Sequence, residues 1–290
     1  LLPLSKNVKK VAVIGPNADD LEVLLGNYNG YPTHPKTPLT GLREKLPNAE
    51  VTFAQGCQLA EKLPYFTAVP TDYLYTDATM QQKGLKANYY NNSNWKGAPV
   101  HSRIDKNVDF IWRTTPPFKD LKYDHFSVKW SGVLVPPVTG EYALGGEGFS
   151  GFNLYVNDKL ITQWNDIHHP RKLYELMTLE AGKAYNIRLE YTQNNTEYSI
   201  MRFLWDTPKP NLKQEAIELA KSSDVVILCM GLSPLLEGEE MPVKVEGFSG
   251  GDRLDIKLPN TQTDLIREIQ KLGKPTVLVL LNGSALAFNW

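Results

Sequence analysis

The sequence is poor in features that many kinds of chemistry require. Its two cysteines, Cys57 and Cys229, make neither a disulfide framework nor a four-ligand zinc site. The five histidines, at 34, 101, 125, 168 and 169, are scattered and form no H-E-x-x-H, so no histidine-built metal site is expected. Neither sign of charge is in excess. With 31 basic and 32 acidic side chains the net charge is -1, and the basic stripe of a nucleic-acid binder is missing. The longest apolar runs, Val225 to Met230 and Thr276 to Leu281, fall far short of the ~20 residues that cross a bilayer. LLPLSKNVKK lacks the order of charged start, apolar run and small-residue cleavage site, so no signal peptide is expected in it. G-x-G-x-x-G and G-x-S-x-G are both absent. Pro16, after VAVIG, removes a backbone N–H that a phosphate cradle would use. Gly283-Ser284 follows a strand-like run, as a nucleophilic serine would, but reads as a plain turn.

What is present is ordinary globular material: 290 residues, 42% hydrophobic and 22% charged, enough for one large domain or two ordinary ones. Its texture changes twice. The first stretch reads as α/β. VAVIG has the continuous apolar form of a strand buried on both faces, and EVTFAQG is a second strand. Asp19 and Asp20 are placed to cap a short helix carrying Leu21, Leu24 and Leu25. TPLTGLREKLPN reads as another helix, with Thr37 as N-cap and Pro38 in the first turn.

From residue 83 to 208 aromatic and β-branched residues alternate with polar ones between recurrent turn signals, the pattern of an all-β sandwich or barrel. Five tryptophans, at 95, 112, 130, 164 and 205, lie in this stretch; core filling is the ordinary role, and stacking on sugar rings the sharper one. The α/β texture then returns. LKQEAIELAKSSD and LPNTQTDLIREIQKLG read as helices, VVILCMG and PTVLVLLNGS as buried strands. The expected organisation is an incomplete three-layer α/β sandwich, residues 1–82 and 209–290, interrupted by an antiparallel β-sandwich at 83–208. Three modules in series is the alternative.

Chemistry points to one segment, Leu232 to Pro259, which follows the VVILCMG strand. It carries Glu237, Glu239, Glu240, Glu246, Asp252 and Asp255, with glycines at 238, 247, 250 and 251. Loops at the carboxyl ends of buried parallel strands are where α/β folds place ligands. Glycoside hydrolysis needs paired carboxylates, one to protonate the leaving oxygen and one to attack or to activate water. From composition alone a solvated acidic loop is the better description.

The segments KKVAVIGPNAD, LLGNYNG, TPLTGL, SDVVILCMGLSPLLEGEE, GGDRLDIKLP and GKPTVLVLLNGSALAFNW resemble the carboxyl-terminal α/β sandwich domain of glycoside hydrolase family 3. GLKANYYNN, FSVKWSGVLVPPVTGEYAL and FNLYVNDKLITQW resemble the protective-antigen-type β-sandwich, which some bacterial and yeast members carry at this place. The resemblance implies a retaining, exo-acting β-glucosidase or β-xylosidase that uses no cofactor and acts on oligosaccharides. It implies a nucleophilic aspartate on an amino-terminal (β/α)8 barrel outside this chain, so the chain's main partner is the rest of its own polypeptide. An exported parent, periplasmic or secreted, and a homodimeric one belong to the same expectation, with no membrane or nucleic-acid partner.

The resemblance assigns the acid/base glutamate to the acidic segment, in two incompatible ways. In many β-glucosidases of the family this residue immediately precedes Gly-x-Asp-Arg. Here Glu246 precedes Gly247-Phe248, and Asp252-Arg253 follows only after Ser-Gly-Gly. Xylosidase-like members carry Glu-x-Glu soon after the strand, matching Glu237-Gly238-Glu239. Glu246 ranks first, Glu239 second and Glu237 third. Asp252 and Arg253 are expected to pin the loop as a pair or to contact sugar hydroxyls. No calcium site is expected in the β domain, because Glu147-Gly148-Phe149 and Asn157-Asp158 do not reproduce the adjacent aspartates of lectin-like relatives. A non-catalytic carbohydrate-binding or adhesion module remains the competing function.

Overall fold

The computed structural model describes residues 2–5, 7–26, 30, 32–112, 115–194, 199–209, 211–239, 241 and 243–287, with 166–171 and 244 described for the backbone only. The chain forms two compact units, Leu1–Pro64 with Lys209–Trp290, and Tyr65–Pro208.

The first unit is built on a four-stranded parallel sheet. In spatial order its strands are Thr276–Leu281, Val225–Gly231, Lys10–Ile14 and Glu50–Ala54. Val11 pairs with Val225 on one side and Val51 on the other. The continuous apolar strands still sort by the two-residue period, because successive side chains leave opposite faces. Ala12, Ile14, Val226, Leu228 and Met230 pack on Ala216 and Ala220 of helix Leu212–Ser222 and on Leu265, Ile266 and Ile269 of helix Asn260–Gln270. Val11, Val13, Val225, Ile227 and Cys229 face the other way, onto Leu39 of helix Pro38–Lys45. Three layers result. Thr37 caps its helix as expected, its Oγ1 accepting from the Thr40 amide at 3.2 Å. The expected helix at Leu21 is a single 3-10 turn, Glu22–Leu24. Asp20 does accept from the Glu22 amide, at 2.9 Å. Leu21 and Leu24 remain exposed, so no buried stripe sustains a longer helix.

The second unit is antiparallel β. Its principal hydrogen-bonded path runs Thr67–Ala68, Ile200–Asp206, Gly140–Val156, Tyr185–Gln193, Phe126–Leu134, Leu85–Tyr90, His101–Asp105. The sequence suggests two strands, EYALGG and FNLYVN, where one strand of 17 residues stands. Its first half pairs with Ile200–Asp206 and its second half with Tyr185–Gln193. The exchange falls at Ser150, which has φ 89° and lies beside a register irregularity with the neighbouring strand Lys159–Leu179. The glycines of this stretch admit close neighbours. A Cβ on Gly145 would stand 1.9 Å from the Leu173 carbonyl oxygen. Trp130 and Trp205 are buried in this unit's core with Phe126, Phe152, Tyr191 and Phe203, which fixes their role as packing.

The amino-terminal border of the β unit lies at Tyr65, not at 83 as expected. Residues 65–82 belong to it because Thr67 and Ala68 pair with Trp205 and Leu204, and Leu74 and Tyr75 with Leu134 and Val133. These strands are two residues each, too short to show an alternation in sequence.

Candidate active-site loop

The Val225–Gly231 strand ends on a glycine that the backbone requires. Gly231 has φ 140°, and a Cβ there would meet the Leu281 carbonyl oxygen at 1.9 Å. Gln262, fully buried in the first turn of helix Asn260–Gln270, fixes this strand end. Its Oε1 accepts from the Gly231 amide at 2.8 Å, and its Nε2 donates to Gly231 O at 2.8 Å and Leu59 O at 2.7 Å. Asn17, also buried, donates to Leu232 O at 3.0 Å. The chain therefore enters the acidic segment from a rigid point.

The segment itself is folded. Leu232, Leu236, Val243 and Phe248 bury against Leu59 and Ala60, with Met241, Val245 and Leu286 around them. Over this small core lies a three-stranded sheet of two-residue strands, Lys244–Val245, Phe248–Ser249 and Asp252–Arg253. Glu246-Gly247 and Gly250-Gly251 make its turns, with φ of 85°, 64° and 93° at the three glycines. Gly251 also touches the loop's entry limb. The Gly238 amide donates to Gly251 O at 3.0 Å, and a Cβ on Gly251 would stand 1.9 Å from Gly238 O. The Met241 amide donates to Gly250 O at 2.9 Å. Buried leucines and a glycine that admits no side chain describe a built loop rather than a solvated one.

The candidate carboxylates occupy distinct settings. Half-buried Glu237 accepts from Ser284 Oγ at 2.9 Å. Ser284 in turn accepts from Arg253 Nη1 at 2.8 Å. The same guanidinium donates to Ala285 O at 2.6 Å and Lys257 O at 3.3 Å. Glu246 is exposed at its hairpin turn and accepts from Asn260 Nδ2 at 2.7 Å, at the start of the helix. Glu239 is exposed between the two backbone clamps at Gly238 and Met241. Asp252 and Arg253 do not act as a pair. As neighbours in one strand they leave opposite faces, and among the described residues no ion pair joins them. Arg253 alone pins the loop, and Asp252 is exposed. Ser284, which reads as a plain turn in the sequence, is the link between Arg253 and Glu237. Gln262 carries no sequence signal beyond its place in a helix. Glu240 lies outside the described residues.

Over its whole length the chain matches one family. The model described as "Glycosyl hydrolase family 3 C-terminal domain" matches residues 1–290. A xylan 1,4-beta-xylosidase of Xylanibacter ruminicola is 34% identical over a 294-residue alignment that takes in 100% of this chain and 33% of that protein. A beta-glucosidase of Rhizobium radiobacter is 27% identical over 308 aligned residues, 100% of this chain and 34% of its own. Among solved structures, the beta-glucosidase of Kluyveromyces marxianus in complex with glucose shares the fold, with TM-score 0.60 and 23% identity over 96% of this chain and 34% of its own. The chain spans about a third of the length of these relatives.

Proposed function

Because this chain belongs to glycoside hydrolase family 3, as its carboxyl-terminal domain, we propose that its acidic loop supplies the proton donor of a retaining, exo-acting β-glycosidase, with Glu239 as that donor. The observation that carries the choice is the clamping of Glu239. The backbone is fixed one residue before it and two residues after it, and the carboxylate is exposed. A proton donor must be held in position and must still reach a substrate atom.

In this reading the Glu239 carboxylic acid protonates the glycosidic oxygen as that bond to the anomeric carbon breaks. A carboxylate elsewhere in the longer protein attacks the anomeric carbon and forms a glycosyl-enzyme ester. Glu239, now a carboxylate, takes a proton from water, whose oxygen attacks the same carbon and releases the nucleophile. Two displacements retain the configuration. No cofactor enters this scheme. A terminal β-xylosyl or β-glucosyl unit is the proposed substrate. The Glu237-x-Glu239 spacing and the 34% identity to a xylan 1,4-beta-xylosidase favour xylose. An exported, dimeric parent is part of the same reading, to be checked by cell fractionation and by sedimentation.

The test is made in the full-length protein, with Glu239, Glu246 and Glu237 replaced singly by alanine and assayed on aryl β-xylosides and β-glucosides. For Glu239→Ala a loss of about 10²- to 10⁴-fold is expected on poor leaving groups. Little loss in kcat/KM is expected on activated ones, whose kcat falls because the glycosyl-enzyme has lost its general base, and azide should restore that turnover by attacking from the vacated space. Azide rescue of Glu246→Ala instead would move the role to that residue. Near wild-type behaviour of all three would leave a carbohydrate-binding module as the better description.

A further inference from the structure

We infer that Ser284 is a positioning residue for the proton donor, acting with Arg253 through Glu237; this rests on the reading of Glu239 as that donor. Three segments distant in sequence meet at the Ser284 hydroxyl. It accepts from Arg253 Nη1 at 2.8 Å and donates to Glu237 Oε2 at 2.9 Å. One hydroxyl oxygen can serve both bonds, since it has one proton to give and lone pairs to receive. Both bonds have an ionic partner, which makes them stronger than neutral ones.

Arg253 is in turn immobilised. Its fork reaches Ser284, Ala285 O and Lys257 O, tying the turn after strand Thr276–Leu281 to the chain that leaves the small sheet. A bridge between Lys257 and Ala287 and the bond from the Ala287 amide to Ile256 O at 2.8 Å lay those two segments side by side. The Ser284 hydroxyl is therefore a fixed point referred to the parallel sheet. Glu237 carries that reference into the acidic limb two residues before Glu239. Gly238, between them, is held against Gly251. Without the hydroxyl the limb keeps its backbone clamps but loses the side-chain anchor at its entry, so Glu239 is held less tightly. A displacement of about 1 Å at a reacting group costs on the order of 10²-fold in rate.

Ser284→Ala in the full-length protein, assayed on the preferred glycoside, separates positioning from plain stability. Proton donation matters for a poor leaving group such as phenol and little for 2,4-dinitrophenol. The expected result is a fall in kcat/KM of about ten- to a hundredfold on the phenyl glycoside and less than about threefold on the dinitrophenyl one. KM on the phenyl glycoside should stay within about twofold, and Ser284→Thr, which keeps the hydroxyl, should recover most of the loss. An equal fall on both substrates, with a lowered melting temperature and no recovery in Ser284→Thr, would overturn the inference, as would wild-type behaviour of Ser284→Ala. Glu239→Ala runs in parallel. If that variant shows no leaving-group dependence, the donor assignment fails and the inference falls with it. If it does and Ser284→Ala does not, only the inference falls.

Discussion

Burial pushes the thiols of Cys57 and Cys229 up from an ordinary 9.0 to about 12. Cys229 points from its strand into the layer against Leu39, and Cys57 lies in the opposite layer. A thiol with such a value is about one part in ten thousand thiolate at pH 8, and the thiolate is the reactive form. Neither cysteine should react with a disulfide reagent at pH 8 in the native protein, and both should react in denaturant; rapid native labelling would contradict the burial. The folded value lies above the unfolded one. The stability these thiols contribute is therefore fully present below about pH 9 and is lost as pH rises from there towards 12. The midpoint of urea unfolding should accordingly fall between pH 8 and pH 10. Residues of the candidate site differ in how well their sequence announces them. Glu237, Glu239 and Glu246 stand out because carboxylates and glycines crowd one loop after a buried strand. Ser284 does not, because its partners lie 31 and 47 residues away and no local spacing encodes that meeting.

Helices and strands of the α/β unit are legible where their burial is simple. VVILCMG and VAVIG read as strands because both faces are covered, and their apolar runs are unbroken. Pairing that depends on backbone approach is not legible: EYALGG and FNLYVN read as two strands, yet one strand runs through Gly145 and Ser150. Gln262 is a similar case at the join between helix Asn260–Gln270 and the acidic loop's strand. A glutamine in a first helical turn looks like a surface residue, yet this one makes three hydrogen bonds with no exposure. Gln262→Ala strands the Gly231 amide and two carbonyls in a dry place, at a cost of about 2–4 kcal/mol. The expected outcome in urea is a lowered midpoint with an unchanged slope. Gln262→Glu, which keeps one acceptor and removes the donors to both carbonyls, should fall as far or further. A change below about 0.5 kcal/mol in Gln262→Ala would show that the strand end is held by its neighbours alone.

The two units differ in how they close. The β unit begins and ends at one place: the Tyr65 amide donates to the Asp206 carboxylate at 3.0 Å, and the Val69 amide to Phe203 O at 2.9 Å. A domain whose ends meet can be inserted in, or removed from, another with little strain. It also has a core of its own, with Trp130, Tyr142, Phe126 and Phe203 fully covered. Residues 65–208 expressed alone should therefore unfold cooperatively in urea. The fragment 83–208, the division suggested by composition, should be much weaker. It lacks Val69 and Leu74, exposed by 1% and 0%, and the strand Leu74–Tyr75 that covers part of strand Phe126–Leu134. Each such side chain contributes about 1.5–3 kcal/mol on burial. Removing both, and uncovering their partners, takes about 3–6 kcal/mol from a domain whose whole stability is on the order of 5–15 kcal/mol. Equal urea midpoints for the two fragments would show that 65–82 lies on the β unit without supporting it. A large gap would show that the domain begins where its first short strand pairs with its last, at a point the sequence passes through without a change of texture.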